Sequence, residues 1–185
     1  MRKLLLSLSI FFIPFCFANE AKPYEIISEK DTSFANRPRA QIFVVAPDAA
    51  NLQQRVDTAK LAATDFSSKT GAKVVSVFLM PFSEAKGTGF YFARANYYSD
   101  GCGNSGTQCD DKIWEIKSTD QQLSDEQLKI AKEYYSNADF YSSSKKFLDK
   151  DGLPDEKKII NHIAKKLKIN AKNIEFPSLF LEPVK

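Results

Sequence analysis

Histidine is almost missing from this chain of 185 residues: there is one, His162. Multi-histidine metal centres are therefore excluded, and a Ser-His-Asp triad would have to be built on that one position. There is one Trp, and there are three Cys, two Met and seven Gly. So little cysteine excludes a disulfide-packed miniprotein, and so little glycine excludes a collagen-like or low-complexity chain. No apolar run approaches the ~20 residues that span a bilayer. Neither sign of charge dominates, with 26 Lys and Arg against 23 Asp and Glu. Without a sustained Lys/Arg block, the long-range attraction that drives phosphate-backbone binding is absent, so nucleic acid is not expected as a partner.

What is present is ordinary globular material, 43% hydrophobic and 12% aromatic, preceded by an atypical start. Met1-Arg2-Lys3 is positive, Leu4 to Phe15 is apolar, and Cys16-Phe17-Ala18 places small residues where a signal peptidase reads. Residues 1–18 are read as a signal peptide, 19–39 as an N-terminal strand and linker, and 40–185 as a single α/β domain with C-terminal helices and tail. Loss of Arg2 and Lys3 with the leader lowers the net charge from +3 to +1. A periplasmic or secreted location follows, with no transmembrane segment after cleavage.

Removing the leader also leaves two cysteines, Cys102 and Cys109, in a glycine-rich ring of eight residues. In an oxidising compartment a close pair is usually joined. A redox pair would sit as Cys-x-x-Cys at a helix start, and zinc would need further ligands. The pair is read as a disulfide pinning a loop.

Periodicity supplies the fold. Tyr24 to Ser28 reads as a strand, 31–39 as a polar connecting loop, and Gln41 to Ala46 as an inner strand. Asn51-Leu-Gln-Gln54 matches a capping box before a helix with Leu52, Val56, Ala59, Ala63 and Phe66 on one stripe. Gly71 stands where a left-handed terminator belongs. Lys73 to Met80 is a second inner strand, so this strand–helix–strand unit fits a right-handed parallel crossover. Phe90 to Tyr98 reads as a strand with Tyr91, Ala93, Ala95 and Tyr97 on one face. Ile113 to Lys117 pairs with it antiparallel, with Trp114 and Ile116 inward. Ser124-Asp-Glu-Gln127 caps another helix, 141–146 reads as a frayed end, and Pro154 opens a last helix on which His162 faces solvent. The apolar tail, with Phe176, Leu179, Phe180 and Leu181, is expected to pack back. The fold class is mixed α/β: one domain, a four- to five-stranded mixed sheet with a β-α-β crossover, an antiparallel pair and C-terminal helices.

Several segments resemble an uncharacterised bacterial family, a domain of unknown function. They are Phe43-Val-Val-Ala-Pro47, Gln54-Arg-Val-Asp-Thr-Ala59, Lys69-Thr-Gly-Ala72, Val77-Phe-Leu79, Ala93 to Tyr98, Gly103-Asn-Ser-Gly106 and Trp114. The likeness spans roughly residues 40 to 130. It implies an exported protein of bacterial or mobile-element genomes and brings no catalytic residue, substrate or cofactor with it.

Three functions follow as expectations. The first is a non-enzymatic envelope accessory domain that binds a protein partner, or itself, through the loop and its surroundings: Tyr91, Arg94, Tyr97, Tyr98, Asn104 and Trp114. The second is an envelope hydrolase using carboxylates of the Asp100–Asp111 region. The third is a calcium-stabilised structural module with Asp100, Asn104, Asp110 and Asp111 as ligands. No residue is assigned a catalytic role, and no cofactor is expected.

Overall fold

The structure is a computed structural model that describes residues 20–107 and 109–184. The leader reading falls on residues 1–18, outside the described residues.

Six strands follow one another across a single sheet in chain order. Strand β1 (Glu25–Asp31) is antiparallel to β2 (Arg39–Val45), and β2 is parallel to β3 (Val74–Met80). The remaining strands, β4 (Ala93–Tyr98), β5 (Trp114–Ser118) and the short β6 (Glu182–Pro183), are all antiparallel to their neighbours. The single parallel pair exists because helix α1 (Leu52–Thr70) crosses between β2 and β3, as a parallel pair requires. The mixed class, the crossover and the antiparallel pair therefore hold, with two more strands than the lower expectation.

Helix α1 starts where the capping pattern places it, with the Asn51 side chain accepting from the Gln54 N–H at 2.9 Å. The reciprocal half differs: the Gln54 side chain reaches the Ala50 N–H rather than that of Asn51. Gly71, at φ +75°, ends the helix and its N–H returns to the Ser67 carbonyl. Between these ends Val56, Ala59, Ala62, Ala63 and Phe66 pack on Ile42, Val44, Val75, Val77, Leu79, Ala95 and Ile116. Small alanines let the helix lie close to a sheet face of branched side chains, and this layer is the main core.

The opposite sheet face is only partly covered. Phe43, Met80 and the partly buried Phe78 join Phe82, Phe90 and Tyr91 beneath α2 (Asp125–Ser136). Ser124 and Gln127 form the full capping box of that helix. Beyond it α3 (Ala138–Ser143) and α4 (Glu156–Leu167) enclose a third cluster of Ile130, Tyr141, Phe147, Ile159, Ile163 and Ile174.

Several local expectations are corrected. The polar stretch 31–39 is the end of a hairpin: Phe34 and Arg37 bridge across Ala35 and Asn36, both at positive φ. The strand read from Phe90 begins at Ala93, as β4, because a bend at Phe92 breaks the alternation. Tyr91 therefore joins the α2 side, while Phe92 and Ala93 both reach the α1 side. The Ser-rich 141–146 stretch is not frayed, since Tyr141 is 1% exposed and anchors α3. Asp155 caps the last helix by accepting from the Lys158 N–H, so Pro154 lies outside it. His162 is half-buried, its ring 5.1 Å from that of Phe147. The tail packs back through Leu179 and Leu181 and supplies β6, but Phe180 remains 73% exposed.

Candidate functional site

One end of the sheet gathers the hairpin tip and the cysteine loop. Cys102 and Cys109 are joined, as the loop reading requires. A second tie was not legible in the sequence. Arg37, at the base of the hairpin turn, donates to the Asp100 carboxylate at 2.8 Å and to the Asn104 carbonyl at 3.0 Å. The guanidinium passes so close to Gly106 that a Cβ there would lie 2.6 Å from an Arg37 nitrogen, and Gly106 itself holds φ +76°. Only glycine satisfies both conditions. The loop is thus closed by a covalent bond and braced by a charged side chain from a hairpin turn 63 residues earlier.

Asp100 is consumed by this brace. Burial pulls its carboxyl upward, but the Cys102 N–H and Arg37 outweigh it and hold the group below the ordinary aspartate value. A carboxylate so stabilised remains an ion and does not serve as a proton donor at neutral pH. Asp110 and Asp111 are exposed. Among the described residues no three His, Cys, Asp or Glu side chains converge as metal ligands would.

The six residues named as a recognition surface are not brought together. Tyr91 is buried beneath α2. Tyr97 and Trp114 stack at 4.6 Å on the helix-covered face, at the rim of the main core. Tyr98 lies on the other face, fully buried, and donates its hydroxyl to Glu115 at 2.6 Å. Burial, and then that carboxylate, raise the Tyr98 phenol well above its ordinary value. Asn104 is exposed in the loop and Arg94 on the uncovered sheet face. The aromatics are mostly packing because alternation along β4 and β5 sends them to opposite sides of one sheet.

The uncovered face continues from the braced loop. Register places Lys30, Gln41, Ser76, Asn96 and Glu115 in one row across five strands. The Ser76 hydroxyl donates to the side-chain amide oxygen (Oδ1) of Asn96 at 2.8 Å. Glu115 pairs with Lys112 and accepts from Tyr98; these contacts hold its carboxyl below the ordinary glutamate value. A groove of about 540 Å³ runs along β5 and the sheet edge, with Arg94, Asn96, Trp114, Glu115, Lys117 and Pro183 among its lining residues.

A further feature escaped the sequence reading. Arg55 lies on the buried face of α1 and is 2% exposed. It donates to the carbonyls of Ala49, Thr119 and Gln121 and lies 4.0 Å over the Phe92 ring. It sits one residue before Val56 of the apolar stripe, so only the loop chemistry around it reveals its burial.

These features define a class: a mixed α/β single-domain sheet protein with a disulfide-closed loop at one end of its sheet. A family model for a domain of unknown function, DUF4875, matches residues 19–180, and the chain belongs to that family. No curated protein matches. A solved structure of a DUF487 family protein from Desulfovibrio piger is similar, with a TM-score of 0.71 at 26% identity, covering 90% of this chain and 97% of that one.

Proposed function

We propose that this protein is an exported, non-enzymatic interaction module of the cell envelope that presents its hairpin tip and disulfide-closed loop to a protein partner. The observation that carries the reading is the brace from Arg37 to Asp100 and Asn104. It cross-links two connections that would otherwise move independently. A pre-ordered surface loses less entropy on binding, which favours recognition by loops held on a scaffold. At the same end Phe34 is 72% exposed, a large apolar ring with no role in the core. The leader-like start and the joined cysteines support export. Among the described residues no helix is long and apolar enough to cross a membrane.

Two variants test this reading. One replaces residues 102–109 by a short Gly-Ser turn, and the other is Phe34→Ser. Both are compared with the unaltered chain as bait in extracts of the native envelope. Loss of the same specifically retained protein in both variants, with melting behaviour that shows each is folded, supports the module. Retention unchanged in both would overturn it.

A further inference from the structure

The row next to the polar one contains an arrangement that costs the free protein energy. Ser28, Phe43, Phe78, Arg94 and Lys117 lie side by side across the strands. Arg94 and Lys117 are direct register partners, both exposed, on the face that no helix covers at this point. Like charges directly opposite in an antiparallel pair repel. Among the described residues neither forms an ion pair with a carboxylate. Glu115, on the same face two residues from Lys117, is instead held by Lys112 and Tyr98.

The surroundings of this pair are apolar and cationic. The Arg94 guanidinium lies 4.8 Å over the Phe78 ring, and Lys86 lies 5.6 Å over Phe43. Those two rings stack at 5.1 Å. Pro183 faces Lys117 across the sheet and closes the row at its edge. Asn96, one row away, offers an amide.

We propose that Arg94 and Lys117 form the docking site for an acidic segment of a protein partner. An Asp or Glu carboxylate of that segment lies between the two cations, and its apolar neighbours rest on Phe78 and Pro183, which flank the pair in the same row. This rests on the interaction-module reading and adds the chemistry of the partner. Charge complementarity selects the carboxylate, because a bound anion converts the repelling pair into two charge-assisted contacts. The apolar floor selects a polypeptide over a polyphosphate, and the chain's near balance of charge removes the long-range field that a nucleic acid or anionic membrane would need.

Trp114 stacks on Tyr97 on the opposite, helix-covered face, so occupancy of the Arg94–Lys117 site is followed by titration calorimetry. The disulfide-bonded chain is titrated with a peptide of alternating Glu and Val, and in parallel with alternating Gln and Val. Saturable binding of the Glu peptide alone, weakened by added salt, is the expected result. Arg94→Gln and Lys117→Gln are each expected to weaken it about tenfold or more, while Lys172→Gln, on the exposed turn after α4, leaves it unchanged. Lys117→Gln should also melt at or above the temperature of the unaltered chain, because it removes the repulsion without removing the contact of Arg94 with Phe78.

Equal binding of the Gln peptide, undiminished binding by the two variants, or a melting temperature lowered by Lys117→Gln would overturn the site. So would tighter binding of inorganic polyphosphate or phosphatidylglycerol vesicles at equal anion concentration. If the peptide fails while partner retention still depends on Phe34 and the loop, the acidic-segment site falls and the module reading stands.

Discussion

Arg55 shows what a single side chain can impose on this fold. A guanidinium buried without a carboxylate is tolerable only because three carbonyls converge on it and the face of Phe92 covers it. Burial lowers the pKa of the group, with the charge of Asp120 opposing. The carbonyls come from the loop before α1 and from the segment after β5, so the cation joins two connections as Arg37 joins two others. Arg55→Ala would leave those carbonyls unpaired and open a cavity, and is expected to cost about 3–5 kcal/mol in urea unfolding. Arg55→Lys should recover only part of this, because one ammonium cannot reach in three directions from a planar fork. The disulfide makes a smaller claim on stability. Closing eight residues contributes about 2.5 kcal/mol on the chain-entropy model, so Cys102→Ser with Cys109→Ser should lower the unfolding free energy by that order. A change below a few tenths of a kcal/mol would mean that Arg37 alone orders the loop.

At the scale of elements, the hairpin between β1 and β2 carries a visible local misfit. Ala35 and Asn36 adopt φ of 51° and 60°, the left-handed pair that a two-residue hairpin turn demands. Asn accepts this conformation, whereas Ala in it costs about 1 kcal/mol. Ala35→Gly is therefore expected to raise the melting temperature, and a fall would show that the turn is not a stability-limiting element. The same misfit explains why the hairpin was not legible: Ala-Asn is not the Asn-Gly signature, and Pro38 just beyond it reads as a loop. Where local chemistry and tertiary demand agreed, the elements were plain. Asn51 and Ser124 mark helix starts, Gly71 marks a helix end, and Trp114 and Ile116 alternate inward on β5. Where tertiary packing overrode the pattern, they were not. The bend at Phe92 changes which face Tyr91 serves, and Tyr141 is anchored by α4 from later in the chain, which no window around it contains. For the candidate site, the cysteine pair was readable because it is local in sequence. The Arg37 brace and the Arg94–Lys117 juxtaposition depend on strand register, which spacing along one strand does not encode.

For the whole molecule, the titrating groups divide into two sets with opposite signs. Asp31, held by Ser33, Asp155, held by the Lys158 N–H, and Glu115, held by Lys112 and Tyr98, all have carboxyls below their ordinary values. Glu84 and Asp100 join them: burial pulls both upward, but hydrogen bonds and the charges of Lys132 and Arg37 prevail. For these groups the unfolded chain binds protons first, so their stabilisation is complete above the unfolded carboxylate range and is lost as pH falls below about 4. The phenols behave in reverse. Burial raises Tyr24, which also donates to Asp65, to about 12, and raises Tyr141 beside Glu133 to about 12. Their stabilisation is present below the unfolded tyrosine value of about 10 and is lost as pH climbs through 12. Urea midpoints measured across pH should therefore form a plateau from about pH 5 to 10, with a fall on each side. Glu115→Gln should flatten the acid limb, since it removes one of the depressed carboxyls, and Tyr24→Phe should flatten the alkaline limb. A maximum confined near pH 8.6, the isoelectric point of the sequence, would instead mean that net charge rather than these local contacts governs the stability of the fold.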